Sequence, residues 1–70
     1  MADPRIRRSR LPELMRAKGL SQADAARLAK VSESLISRVI SLEKNFSIIK
    51  AKRIARLLGT TIDDLWEWDY

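Results

Sequence analysis

Two glycines and two prolines are the only strong breaks in seventy residues, and this scarcity constrains the fold more than any other feature. All-β architectures need turn residues roughly every 8–12 positions, and no long alternating β-branched run appears here. An all-α chain is therefore expected. Gly19 and Gly59 each close a helical apolar pattern and stand just ahead of a polar N-cap candidate, the pattern of one helix stopping and the next starting.

Five short helices are predicted. The first runs from about Leu11 to Lys18, with Leu14 and Met15 in its apolar stripe and Pro12 in the first turn, where no amide donor is needed. Ser21 caps a second, with Asp24 reaching back to complete a capping box and Ala25, Ala26 and Ala29 allowing close helix approach. Ser32 caps a third, from about Glu33 to Ser41, held down by Leu35, Ile36, Val39 and Ile40. Ser47 caps a fourth with the stripe Ile48, Ala51, Ile54, Ala55 and Leu58. Thr61 caps a short fifth, with Asp63 and Asp64 where the helix dipole favours anions and Ile62, Leu65 and Trp66 facing inward.

A chain this short forms one domain and buries only about 60% of its unfolded surface. It has no cysteine and no histidine, which excludes disulfides and the usual nitrogen and sulfur zinc ligands. Apolar packing must hold it, alone or with a partner subunit. No apolar run is long enough to span a bilayer or to make a signal peptide, so a cytoplasmic location is expected. Residues 1–58 carry all fourteen cations against five anions, whereas residues 59–70 carry four anions and no cation. A basic body attracts phosphate polymers, and the acidic end should lie away from them.

The organisation that follows has three parts: a basic arm at 1–10, a helix-turn-helix domain at 11–66 with its core unit at about 21–40, and an acidic aromatic tail at 67–70. In the arm, Arg5, Arg7, Arg8 and Arg10 either grip phosphates or form a solvated terminus; both readings are open. The unit from Ser21 to Ile40 is a capped helix, a short turn and a second capped helix. Its outer face carries Glu33, Ser34, Ser37, Arg38 and Ser41 on one strip. Short polar side chains with one long cation suit a helix that enters a major groove.

These residues resemble the Cro and phage-repressor (XRE-like) helix-turn-helix family. The resemblance covers about residues 9 to 66 and rests on Gly19-Leu20-Ser21-Gln22, Ala26, Val31-Ser32, Ile36-Ser37, and Leu58-Gly59 with Thr61, Ile62, Asp63 and Leu65. It implies a five-helix bundle of the lambda-repressor type that binds double-stranded operator DNA, usually as a dimer on a palindrome. It further implies that Ser32, Glu33, Ser34, Ser37 and Arg38 read bases, and that Gln22, Ser41 and Lys44 contact phosphate; beside that resemblance, Ser21 and the arm's Arg8 and Arg10 are expected as further phosphate contacts. Arg38 suits a bidentate contact to guanine, and Glu33 either accepts from cytosine or simply favours the helix dipole. Lys50, Lys52, Arg53 and Arg56 extend the phosphate face or solvate the fourth helix.

Three departures from the family pattern carry structural expectations. Lys30 replaces a glycine that often needs positive φ, at a cost of about 1 kcal/mol. Leu42 replaces a glycine that ends the third helix, so that helix is expected to run longer. Met15 and Ile40 replace both members of a buried Arg–Glu pair, an exchange that is neutral or stabilising only when both change, and they are expected to meet in the core. Trp66, Trp68 and Tyr70 either form a homodimer interface or fold back over their own subunit.

The function expected is sequence-specific transcriptional regulation through double-stranded DNA. The alternative is a protein–protein interaction module of antitoxin or antirepressor kind on the same fold. An enzyme is not expected, because no histidine, cysteine or glycine-rich phosphate loop is present and the serines sit at caps. No catalytic residue, metal, cofactor, membrane or small-molecule effector domain is expected.

Overall fold

The structure, a computed structural model, describes residues 3–70; the first two residues of the expected arm lie outside the described residues. Four helices form where the caps predict them: α1 (Leu11–Ala17), α2 (Gln22–Ala29), α3 (Glu33–Ile40) and α4 (Ile48–Leu57). Ser21, Ser32 and Ser47 each accept a hydrogen bond from the backbone amide three residues on, at 3.0, 3.0 and 3.4 Å. Asp24 returns a bond from the Ser21 amide at 3.3 Å, completing the predicted capping box. These contacts satisfy amides that the first turn of a helix leaves without partners.

The fifth helix does not form. Only one 3₁₀ turn, Asp63–Leu65, follows Thr61, and the chain then extends into a strand, β2 (Trp66–Asp69). Its partner is β1 (Arg5–Ser9), antiparallel to it, so the segments expected as a separate arm and tail make a single two-stranded sheet. The register pairs Arg5 with Asp69, Ile6 with Trp68, Arg8 with Glu67 and Ser9 with Trp66, with an irregularity between Ile6 and Arg8. That irregularity has a simple cause. The inward residues of β1, Ile6 and Ser9, are three apart, whereas Trp66 and Trp68 are two apart. One extra residue, Arg7, must bulge out to bring both pairs to one face.

The core gathers residues from every helix, including Leu11, Met15, Ala26, Ile36, Val39, Ile54 and Leu65. Met15 is buried, and Ile40 packs half-buried against the same core cluster. Two expectations about packing fail. Ile48, assigned to the α4 stripe, is 70% exposed. It is the first residue of the helix, and Phe46, two positions earlier, is buried instead. Phe46 and the buried Ala51 hold the two positions of a hydrophobic staple across the Ser47 cap. Helix α3 also ends on schedule at Ile40 rather than running on, because Leu42 itself turns left-handed at φ +63°. Lys30 does likewise at φ +59°, as its place in the turn predicts. No helix among the described residues is long and apolar enough to cross a membrane.

Candidate nucleic-acid interface

Helix α3 presents its polar side freely. Ile36 and Val39 are fully buried and hold one side of the helix down, while Ser32, Glu33, Ser34, Ser37 and Arg38 are all exposed on the other. Among the described residues neither Arg38 nor Glu33 enters an ion pair, so the guanidinium fork and the carboxylate are both free to meet a ligand. The Ser32 hydroxyl accepts from the Leu35 amide, which leaves its proton as the group available to a base.

Helix α2 packs across α3 and α4, with buried Ala25, Ala26 and Ala29 permitting the close approach. Its N-terminus carries exposed Ser21 and half-buried Gln22. The Asp24 carboxylate sits at the same end, and its pKa is lowered by the Ser21 amide and hydroxyl, with a smaller contribution from Arg27. The amide and the dipole favour the ionised form.

The other expected phosphate contacts stand differently. Lys44 is exposed just beyond α3. The Ser41 hydroxyl, with a single proton, donates to Glu43 Oε2 at 2.7 Å and also lies 3.2 Å from the Ser37 and Arg38 carbonyl oxygens. Arg8 and Arg10 are held by carboxylates. Arg8 Nε donates to Glu67 Oε2 at 2.6 Å and its Nη2 lies 3.2 Å from Glu13. Arg10 lies 3.6 Å from Glu13 and 3.9 Å from the Asp64 carboxylate, and donates to the Asp64 carbonyl at 3.2 Å. Glu67 also pairs with Arg7 at 3.3 Å. The acidic end of the chain thus neutralises the basic start. Glu67 is the residue that sequence reasoning missed, although the alternation of Trp66, Glu67, Trp68 and Asp69 is itself the period-two signal of a strand.

The tail aromatics divide. Trp66 is 8% exposed and packs in the core of its own subunit. Trp68 is half-buried, donates from Nε1 to the Asp63 carbonyl at 2.9 Å, and meets Trp66 edge-on with centroids 6.0 Å apart. Tyr70 is 90% exposed.

An uncovered polar face on a capped helix-turn-helix is therefore present, and a family model described as helix-turn-helix matches residues 13–65. The chain belongs to the XRE-type helix-turn-helix family. This XRE-type protein is similar to a solved structure, the restriction-modification controller protein C.AhdI from Aeromonas hydrophila. The two share 34% identity at a TM-score of 0.72, over 80% of this chain and 85% of the other. No curated protein matches the chain. The family is one of DNA-binding transcriptional regulators.

Proposed function

We propose that this XRE-type protein regulates transcription by reading a palindromic operator as a dimer, with α3 of each subunit in the major groove. The uncovered strip Glu33, Ser34, Ser37 and Arg38 carries the reading. Arg38 reaches a guanine edge, Glu33 accepts from a cytosine amine, and the serines allow close approach. Gln22, Ser21, Lys44 and, once released by Glu43, Ser41 fix the helix against phosphates. Arg8 and Arg10 join them only if phosphate displaces Glu13, Glu67 and Asp64. Exposed Tyr70 and the open edge of Trp68 supply the subunit contact, holding two recognition helices about 34 Å apart. Similarity to a restriction-modification controller protein supports a DNA-binding regulator. Its place of action is the DNA-containing cytoplasm.

Selection of bound sites from random duplexes tests this reading. The expected result is a two-fold symmetric consensus whose affinity falls steeply with added salt. Arg38→Ala should retain the fold, because the side chain is exposed, and lose about 1–3 kcal/mol of discrimination at one base pair of each half-site. An unchanged consensus removes Arg38 from the reading face, and salt-insensitive or absent duplex binding removes the function.

A further inference from the structure

A shallow groove of about 460 Å³ lies between the C-terminal ends of α2 and α4, lined by Leu28, Ala29, Lys30, Arg53, Arg56 and Leu57. Arg53, Arg56 and Leu57 stand at i, i+3 and i+4, on one face of α4. The lining combines two chemistries. Leu28, 50% exposed, and half-buried Leu57 provide apolar surface, while Lys30, Arg53 and Arg56 provide three cations. No carboxylate lines the groove, and among the described residues none of the three cations has an ion-pair partner. The carboxylates that do pair lie at the sheet end of the molecule, where five ion pairs join Arg7, Arg8 and Arg10 to Glu13, Asp64 and Glu67, and none of them reaches the groove. Lys30 adds a separate observation. It brings a cation to the rim from a left-handed backbone position where glycine would sit without strain.

We propose that this groove docks an acidic amphipathic helix of another protein. Apolar side chains of that helix would cover Leu28 and Leu57, and its carboxylates would meet Lys30, Arg53 and Arg56. Laying a helix into an inter-helix groove buries an apolar stripe, and the charged rim sets the partner and the orientation. A nucleic acid fits less well, because its phosphates would stand against Leu28 and Leu57. A second copy of this chain also fits less well, because its acidic segment 63–69 is a 3₁₀ turn and a paired strand rather than a helix, and Asp64 and Glu67 are already bound to its own arginines. The groove shares no residue with the strip on α3, and on α2 it lies roughly 10 Å along the axis from Gln22. One subunit can therefore hold DNA and the acidic helix together. The inference does not depend on the DNA reading, and either can fail alone.

The test titrates the isotope-labelled full chain with two synthetic helical peptides. One presents leucines four residues apart flanked by glutamates, and the other has each glutamate replaced by glutamine. Backbone amide shifts should centre on residues 28–30 and 53–57, and the glutamine peptide should bind weaker by about tenfold or more. The exposed double variant R53E/R56E should melt like the parent and lose a similar factor, while Leu28→Asn should weaken the peptide and spare duplex affinity. Shifts centred on α3, equal affinity for both peptides, binding untouched in R53E/R56E, or no binding at all would overturn the proposal. So would the same shifts produced by a DNA duplex or by self-association in the absence of peptide.

Discussion

Replacing Lys30 with glycine should stabilise this protein, although most substitutions destabilise theirs. Lys30 closes α2 at φ +59°, ψ +45°. A side chain held there costs about 1–2 kcal/mol, because Cβ crowds the following carbonyl oxygen. Glycine escapes that crowding but has more unfolded-state freedom to lose, worth about 0.5–1 kcal/mol. The lysine is exposed and unpaired, so little else changes. The net gain is about 0.5–1 kcal/mol, or roughly 3–7 °C in melting temperature for a domain of this size. Lys30→Ala keeps Cβ and therefore the strain, and should stay within about 0.5 kcal/mol of the parent. Leu42 supplies a second control at φ +63°. Its side chain is only 43% exposed, so glycine there forfeits about 1 kcal/mol of burial and should change little. Thermal melts and urea titrations with unchanged m-values measure all three. If Lys30→Gly melts no higher than the parent, or if alanine stabilises as much as glycine, the strain argument is wrong.

Trp66→Ala should cost about 3–5 kcal/mol, a large part of what so small a domain possesses, as read by urea unfolding. Trp66→Phe should cost far less, because it keeps an aromatic ring in the core and Nε1 has no hydrogen-bond partner among the described residues. Glu67→Gln unfastens Arg7 and Arg8 at once, and should lower stability by about 1 kcal/mol in dilute salt and by less as salt is added. The lowered Asp24 pKa fixes the sign of a pH effect. An Asp with a depressed folded-state pKa contributes stability that is present above its unfolded value and disappears as pH falls through the folded one. Acid titration of the melting temperature should therefore show a loss below the ordinary aspartate range, and Asp24→Asn should flatten it.

The helices were legible because their ends are written locally. A serine followed three residues later by the amide it caps needs no knowledge of the rest of the molecule, and Ser21, Ser32 and Ser47 all behave that way. The exposed polar strip of α3 was legible for the same reason, since the spacing of Glu33, Ser34, Ser37 and Arg38 fixes a face once Ile36 and Val39 are buried. Non-local partners were not legible. Arg8 and Glu67 stand at opposite ends of the chain, and their pairing depends on where four helices deliver the two segments. The short Trp-Glu-Trp-Asp alternation did signal a strand, but a strand without a visible partner competes poorly with a Thr61 cap and two acids that suit a helix start. Ile48 failed for a geometric reason. Period alone placed it with Ala51 and Ile54, but the stripe's first member overhangs the core and Phe46 fills the space.

The sheet also imposes an order on biosynthesis. Residues 5–9 leave the ribosome early, yet the strand that completes them, residues 66–69, emerges only after all four helices. At ordinary translation speed that delay is about 3–12 s, far longer than helices need to form. Until that strand arrives Arg7 and Arg8 lack Glu67, and Leu65 and Trp66 are missing from the core, so the sheet and the last part of the core close after the helices.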